Sequence, residues 1–543
     1  GNPTKATSTR REWSCTFPLV QKDLPKRMGT NSRLYESSGF PFIHLNTQVA
    51  KVPSTFDKLV MPTLHKSTHR SVWDIIRKVI KERSLMEEIE KKPEMVGAEE
   101  SLREPAKTKK SRRGWLIALS VLAAMVVILF ALYQIPAIHD RAYYYVNTLR
   151  SKVYYFLKPP AASDFEVSGE ATMNSDVVAT LTALAPTPTL VATPEPTHAQ
   201  TATLAASPTP TPEPTAIPAA VQLEGIVQEY QRLNSCGPTN LALILRYWGW
   251  VGDEIDIEKL VKPRLEDLNV TPQEMLDYIQ NHTEQDAVLR LGGTIDLLKR
   301  LLAAGYPVLV ERGYVNRDDE WNGWMGHYGV VDGYDDAQQA VHIPDTVNGY
   351  IWVKYDILQQ GWDEFSGTYL VVFPPEEREI VLGLLGPDAD PEHNLNTTLE
   401  KFRQRSEAAE LSEQYFAYYS LGELLVMKRD YVAAAEAFDN AFAVYNWLPV
   451  DHRPWRMLWY QVGPYEAYYY TGRYKAVISL TFKTITDASK PALPETFLWS
   501  GRANVALGNT NSAIWDFKRA LEWHPGWEPA AAELTALGVD PEQ

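Results

Sequence analysis

The stretch that decides the fold reads QRLNSCGPTNLALILRYWGW and spans residues 231–250. Its apolar residues recur at helical spacing from Leu241 onward, so the sequence predicts a helix that begins near Cys236. The unpaired backbone N–H groups and the positive end of the helix dipole stabilise an ionised thiol there, and only the thiolate attacks a carbonyl carbon. A lone cysteine is otherwise most often a small buried apolar residue, so the rest of the sequence has to supply its partners.

Two downstream segments supply candidate partners. WMGHYGVVDGYDD carries His327 on a predicted buried strand, and AVHIPDTVNG predicts a second strand that ends in a turn at Asp345. A cysteine, then a distant histidine, then a carboxylate is the papain-type order of nucleophile, base and orienting residue. Each partner has a structural alternative: His327 as a core histidine, and Asp345 as a residue that only initiates a turn.

Together these motifs resemble a known enzyme family. The series Q-x-x-N-x-C-G-P, G-H-Y-x-V-V-x-G-Y-D and P-D is similar to the papain-like cysteine peptidases of the bacteriocin-processing (double-glycine peptidase) family, in its stand-alone form, over residues 221–375. The resemblance implies Cys236 as nucleophile, His327 as general base and acid, and Asp345 as the residue that orients the imidazole. It also implies Gln231 as the side-chain donor to the oxyanion.

The position of the side-chain oxyanion donor departs from the family pattern. In the exporter-linked members of the family the glutamine usually stands one residue further from the cysteine than Gln231 does. Gln228 also lies nearby, and Asn234 is a candidate cap of the helix. The backbone N–H of Cys236 supplies the second oxyanion donor whichever glutamine is correct.

Composition excludes several other functions. At 543 residues the chain predicts several domains. Its net charge is −15, and only the first 113 residues are net basic, which argues against a nucleic-acid partner. Cys15 and Cys236 fall on opposite sides of a predicted membrane span, so we expect no disulfide. The sequence has neither paired Cys or His at zinc spacing nor an HExxH motif, so it predicts no metal and no cofactor. It also has no phosphate-binding loop, which argues against an ATPase.

The first part of the chain predicts a membrane anchor. Residues 1–113 are net basic and are predicted to be mostly disordered. Residues 71–92 match an amphipathic helix that docks on a partner, lies on a membrane surface or is a soluble helix without a partner. Residues 114–134 predict a transmembrane helix, 135–158 a juxtamembrane helix, and 159–220 a Pro/Thr-rich disordered linker. The positive-inside bias places the N-terminus in the cytoplasm and the rest outside the cell membrane. An extended linker of this composition would hold the following domain many tens of ångströms from the membrane, at about 3 Å per residue.

Residues 221–376 predict an α+β domain. We expect helices over residues 255–290 and 294–304, and strands at YPVLVE, YIWVKY and YLVVF. The family resemblance pairs YPVLVE with the strand of His327. Residues 317–324 predict a loop, either at the mouth of the cleft or simply solvated.

Residues 398–540 predict an all-α domain that resembles tetratricopeptide repeats. Small and aromatic residues recur at fixed offsets that allow paired helices to approach closely. The matching positions are Tyr431, Ala434, Phe438 and Ala441 in one copy, Tyr474 and Ala476 in a degenerate copy, and Gly501, Ala513, Phe517, Ala520 and Pro525 in the best copy. Most of the Tyr and Trp residues are expected in the core, with a peptide-binding concave face as the alternative.

These features predict a membrane-anchored, extracytoplasmic cysteine peptidase with a helical protein-interaction module. Its partners would be a peptide or protein substrate, the membrane, and a protein bound to the repeats. Two alternatives stay open. The same residues serve an amidase or a transglutaminase-like acyl transferase, and a non-catalytic surface scaffold would leave Cys236 unreactive.

Overall fold

The computed structural model of the protein describes residues 112–160, 164–165, 217–315 and 323–542. All of them belong to one compact unit, Lys109–Gln543. The basic segment up to residue 111, the helix predicted over 71–92, most of the Pro/Thr-rich linker and most of the loop predicted over 317–324 lie outside the described residues.

Two consecutive helices open the described chain, α1 (Arg112–Tyr133) and α2 (Pro136–Leu157). The break between them falls at a proline, which has no N–H and cannot continue the preceding helix. Among the described residues no single helix is both long and apolar enough to cross a bilayer; Leu119–Tyr133 and Ile138–Leu157 meet both criteria only as a pair, bent by 100°.

The α+β domain follows, with helices and strands interleaved. Its elements are β1 (Ala220–Gln222), α3 (Cys236–Tyr247), α4 (Glu254–Val261), α5 (Pro272–His282), β2 (Asp286–Arg290), α6 (Ile295–Ala303), β3 (Val308–Val315), β4 (Trp324–Val331), β5 (Gly333–Asp335), β6 (Ala340–Asp345), β7 (Gly349–Lys354), α7 (Tyr355–Asp363) and β8 (Tyr369–Phe373).

The strands of the described chain form two antiparallel four-stranded sheets, β1-β5-β6-β7 and β2-β8-β3-β4. β3 pairs with β4 along its length, with Arg312 opposite His327, as expected for YPVLVE. The helix expected over residues 255–290 is wrong at its end, because Asp286–Arg290 is a strand paired with β8. This short segment has two buried apolar residues and its backbone partners come from the far end of the domain, so tertiary pairing decides its conformation.

The rest of the described chain is helical. It contains 3-10 turns at Pro375–Glu377, Gly386–Ala389 and Val450–His452, and the helices α8 (Arg378–Leu385), α9 (Pro391–Arg405), α10 (Leu411–Met427), α11 (Tyr431–Trp447), α12 (Met457–Tyr460), α13 (Gly463–Tyr470), α14 (Tyr474–Asp487), α15 (Pro494–Ala506), α16 (Thr510–Trp523) and α17 (Glu528–Ala536). The helical part thus begins before residue 398, at α8.

Two helix pairs of this region interlock in the same way. A Cβ atom on Gly422 would lie 2.5 Å from the ring of Phe438, and one on Gly501 would lie 2.3 Å from the ring of Phe517. In both pairs the absence of a side chain on the first helix lets the aromatic ring of the second helix approach its backbone.

The helical region and the α+β domain share one buried cluster. Trp324, the first residue of β4, stacks on Phe365 with ring centroids 5.7 Å apart and also contacts Phe416 of α10. Arg456 donates a hydrogen bond of 2.8 Å to the Trp324 carbonyl. The strand that carries His327 is therefore held from outside its own domain.

Candidate active site

Cys236 is the first residue of α3, at the N-terminus where backbone N–H groups are unpaired. The N-cap residue is Ser235, and its hydroxyl forms no capping bond. It donates instead to Glu258 and lies 3.1 Å from the Leu233 carbonyl. Asn234, the candidate cap, stands one residue too early and has a left-handed φ of 53°. The N-terminal N–H groups near Cys236 are thus left without a side-chain cap.

The loop before the cysteine is held by a buried lysine. The Lys262 ammonium donates hydrogen bonds of 2.8 Å to the carbonyls of Leu233 and Leu265 and lies 3.4 Å from the Ser235 hydroxyl. Burial lowers the pKa of Lys262 to about 8, against the opposing charge of Glu258. This lysine fixes the backbone from which the Cys236 side chain projects.

The structure brings His327 of β4 and Asp345 at the end of β6 together. His327 Nε2 lies 3.1 Å from Asp345 Oδ2, and both side chains are almost fully buried. The other carboxylate oxygen accepts backbone N–H bonds from Val347 at 2.9 Å and Asn348 at 2.8 Å. Asp345 therefore initiates the turn, which was its structural alternative. Its other carboxylate oxygen contacts His327, so the same side chain has both roles.

Cys236 and the same imidazole line one cleft, and each shifts the pKa of the other. Because Nε2 faces Asp345, Nδ1 is the ring nitrogen left for the sulfur. The structure thus arranges Cys236, His327 and Asp345 in a row, although they come from a helix and two strands in different sheets.

Electrostatics favour charge separation between sulfur and ring. Burial raises the pKa of the Cys236 thiol, but the hydrogen bond and charge of His327, with backbone hydrogen bonds from Tyr328 and Gly237, lower it overall. Burial lowers the pKa of His327, yet Asp345 and Cys236 raise it to about 9. Burial also raises the pKa of Asp345, but His327 and Arg312 hold it well below its usual range. A thiolate beside an imidazolium is the state that these shifts favour at neutral pH.

Asn240 joins the cysteine helix to the histidine strand. Its fully buried side chain donates to the Cys236 carbonyl at 2.8 Å and to the Tyr328 carbonyl at 3.1 Å, and it accepts the Val330 N–H at 3.0 Å. Asn240 was not predicted from the sequence. A lone amide inside the run TNLALILRY is the signal, because a buried polar side chain needs partners.

The two glutamine candidates, Gln231 and Gln228, have different hydrogen-bond partners. Thr346 donates a hydrogen bond of 2.6 Å to Gln231 Oε1, and the Gln231 backbone N–H donates to the Thr346 carbonyl at 3.0 Å. This leaves the amide nitrogen of Gln231 as the group for the cleft, which Gln231 lines together with Cys236 and His327. Gln228 instead donates to the Asp345 carbonyl at 3.1 Å.

Below the site, two residues form a proton-sharing pair. The Tyr328 hydroxyl lies 2.9 Å from the Val270 carbonyl and 3.0 Å from Glu311 Oε1. Its single proton can satisfy only one of these acceptors, so a protonated Glu311 completes the chain by donating to the tyrosine oxygen. Burial, with the charge of Cys236 adding to it, raises the pKa of Glu311 to about 8, which agrees with a neutral carboxyl group.

The cleft over Cys236 and His327 has a volume of about 230 Å³ and is built by three parts of the chain. One wall comes from the α+β domain. A second comes from α2, and a third from the helical region, with Arg456, Trp459 and Tyr460 around α12 and Lys490 after α14. Neither α2 nor the helical region was predicted from the sequence to line the cleft. Across the described ranges, no cluster of His, Cys, Asp and Glu could hold a metal ion.

Comparison with known proteins addresses the same part of the chain. Residues 215–370 match the model of the Peptidase_C39 like family. Among solved structures, the chain is similar to a putative C39-like peptidase from Bacillus anthracis, with 20% identity over 28% of this chain and 97% of that chain and a TM-score of 0.25. It is also similar to xylellain, a cysteine protease from Xylella fastidiosa, with 18% identity over 30% of this chain and 89% of that chain and a TM-score of 0.23. No match was found among curated proteins.

The family match supports a papain-like cysteine peptidase over residues 215–370, and a helical region follows this segment.

Proposed function

We propose that the protein is a membrane-anchored, extracytoplasmic cysteine peptidase of the bacteriocin-processing type in stand-alone form, which hydrolyses peptide bonds through Cys236, His327 and Asp345. One observation carries the proposal: the buried contact of 3.1 Å between His327 and Asp345, on a ring that lines the cleft together with Cys236 and whose pKa Cys236 raises. A core histidine needs one satisfied partner, whereas this ring is held between a carboxylate and a nucleophile.

The reaction needs two proton movements. The Cys236 thiolate attacks the peptide carbonyl, and the His327 imidazolium gives its proton to the leaving amine, which leaves an acyl-enzyme thioester. His327 then takes a proton from water as the water oxygen attacks the thioester. The carboxylic acid departs, and the proton on the ring restores the thiolate–imidazolium pair. Asp345 stays ionised and keeps Nε2–H oriented throughout.

The oxyanion formed in each step is stabilised by two donors. The Cys236 backbone N–H at the start of α3 is one, and the Gln231 amide nitrogen is the other. The Thr346 hydroxyl supports this role, because it engages Gln231 Oε1 and so fixes which end of the amide faces the cleft.

We also propose that the helical region consists of tetratricopeptide-like repeats. The same Gly–Phe interlock in two helix pairs, Gly422 with Phe438 and Gly501 with Phe517, supports the repeat assignment. The apolar run in α1, preceded by a Lys/Arg cluster, supports anchoring with the catalytic part outside the membrane.

The proposal is tested with Cys236→Ala in the full chain, with Cys15→Ala as the matched control. A thiol-directed electrophile and a peptide library are applied to both. We expect the control to be labelled at Cys236 and to cleave peptides, and Cys236→Ala to do neither. Cleavage by Cys236→Ala would refute the proposal, and an unreactive Cys236 in the control would favour the scaffold.

The fate of the acyl-enzyme separates hydrolysis from transfer. The wild-type acyl-enzyme is formed with an activated ester peptide and then exposed to water alone or to a primary amine. Release as the free acid at an unchanged rate supports the peptidase. Amine-dependent release with an amide product would identify the acyl transferase.

A further inference from the structure

Helix α2 contacts the rest of the protein through its polar and tyrosine-bearing face. Asp140 lies 3.0 Å from Arg232 Nε on the loop before the cysteine. Further along, Ser151 lies 3.0 Å from the Ser489 hydroxyl, and the Tyr154 hydroxyl donates to the Thr486 carbonyl at 3.0 Å. This face also lines the cleft over Cys236.

The opposite face of α2 is apolar and turned outward. Its residues are 41% to 74% exposed and recur at helical spacing: Ile138, Tyr145, Val146, Leu149, Val153, Phe156 and Leu157. This set is called the outer stripe. A helix on a protein surface in water has the reverse arrangement, with the apolar side packed on the core and the polar side outward. The outer stripe therefore requires an apolar cover.

The geometry of the preceding helix indicates what the cover is. α1 is the proposed membrane anchor, and α2 leaves it at 100° after a two-residue break. If α1 runs along the bilayer normal, a turn of this size lays α2 along the bilayer surface, where an amphipathic helix inserts its apolar side among the lipid chains. Arg150 and Lys152 fall on the two borders of the outer stripe by helical register, and Arg150 donates a hydrogen bond of 3.1 Å to the Ser489 carbonyl.

We infer that α2 is an interfacial helix whose outer stripe lies among the lipid chains of the bilayer in which α1 is anchored. The catalytic unit then sits directly on the membrane, because α2 contacts both the α+β domain and the helical region. On this inference, residues 159–220 do not hold the domain far from the membrane. α2 precedes that linker, yet it packs against the domain that follows it.

This placement also defines a substrate class, in a step that rests on the proposed function. The face of α2 behind the outer stripe contributes Asn147 and Ser151 to the cleft over Cys236. A helix is about 10 Å across, so the cleft lies close to the lipid surface. The substrates are polypeptide segments held next to the bilayer, such as tethered or membrane-emerging chains.

The placement of α2 is tested without any need for activity. The full chain carrying Cys15→Ser and Cys236→Ser receives one new cysteine, labelled with NBD, and is reconstituted in vesicles of phosphatidylcholine and phosphatidylglycerol. Leu149→Cys reports on the outer stripe, Thr148→Cys on the cleft face, and Val251→Cys on a side chain that is 95% exposed. Quenching is measured with nitroxide lipid and with aqueous iodide.

We expect the Leu149 probe to lose most of its fluorescence to nitroxide lipid and to be shielded from iodide, whereas the Thr148 probe is not quenched by the lipid. Iodide quenching at Leu149 equal to that at Val251 would overturn the inference. Shielding from both quenchers would also overturn it, because a protein surface such as a second copy would then be the cover.

The substrate class is tested with the double variant Leu149→Glu/Val153→Glu in the active chain. Wild type and variant are compared on one peptide, supplied either free or tethered to vesicle lipid. We expect the variant to lose most cleavage of the tethered peptide and to retain cleavage of the free one. Equal loss on both would refute the substrate class. A wild type that cleaves neither peptide would refute the proposed function, while the probe measurements would still decide the position of α2.

Discussion

Replacing Asp345 by Asn removes one charge from the centre of the site and keeps the shape of the side chain. His327 Nε2 lies 3.1 Å from Asp345 Oδ2, and Arg312 lies 3.4 Å from the same oxygen. The substitution therefore removes the carboxylate that favours the imidazolium. It also leaves the buried charge of Arg312 without its partner, which disfavours a second positive charge on the ring.

The size of the effect follows from the histidine. Burial alone lowers the pKa of His327, and Asp345 with Cys236 raises it to about 9. Compared with the ordinary value near 6.5, the difference corresponds to about 3 kcal/mol in favour of the imidazolium. Without the carboxylate we expect the pKa of His327 to fall to about 6.5 or below. This leaves roughly a quarter or less of the imidazolium at about pH 7, so we expect the rate at neutral pH to fall at least about fourfold.

The assay is the pH profile of kcat/KM for a cleaved peptide. The wild type should lose activity at high pH as His327 deprotonates near 9, and Asp345→Asn should lose it near neutral pH. Asn348→Ala is the matched control, because it removes a neighbour in the same turn and keeps the carboxylate. A basic limb that stays near 9 in Asp345→Asn would refute the assigned role of the carboxylate.

Two further predictions concern stability. Glu311 stays protonated in the folded chain up to about pH 8, whereas it loses its proton near pH 4.3 in the unfolded chain. The free energy of unfolding of the wild type therefore falls as the pH rises between these two values. Urea unfolding at both ends of this range should show that Glu311→Gln removes a pH-dependent loss on the order of 5 kcal/mol. Equal pH dependence of wild type and variant would contradict a neutral Glu311. Gly422→Ala should lower the free energy of unfolding by about 1–3 kcal/mol through the clash with Phe438. The control Gly383→Ala, with open space around its Cβ, should raise it by about 0.5–1 kcal/mol, and an equal effect of both would contradict the interlock.

The local sequence was sufficient to predict an element where one short segment decides its conformation. The helix that begins at Cys236, the strand of His327 and the turn at Asp345 were each predicted from periodicity and turn chemistry, and the structure has all three. The assignment failed at Asp286–Arg290, where a segment too short to show a period takes its conformation from β8.

What sequence could not show is contact across distance along the chain. Tyr460 reaches the cleft from the helical region, and the inner face of α2 reaches it from before the linker. Neither segment carries a motif, because its part in the site comes only from where the fold places it. Asn240 lies between these two cases. A polar side chain within an apolar run indicates a buried hydrogen-bonding residue, but the sequence does not show that its partners are on the strand of His327.

The ionisation of Cys236 is the central claim, and its alkylation rate as a function of pH tests it most directly. Iodoacetamide modification of Cys236 is followed by mass spectrometry in the Cys15→Ala chain, with and without His327→Ala. We predict rapid modification that persists well below the ordinary thiol pKa near 8.5 and is lost with His327→Ala. If Cys236 titrates near 8.5 in both chains, the thiolate–imidazolium pair does not exist and the peptidase mechanism is contradicted.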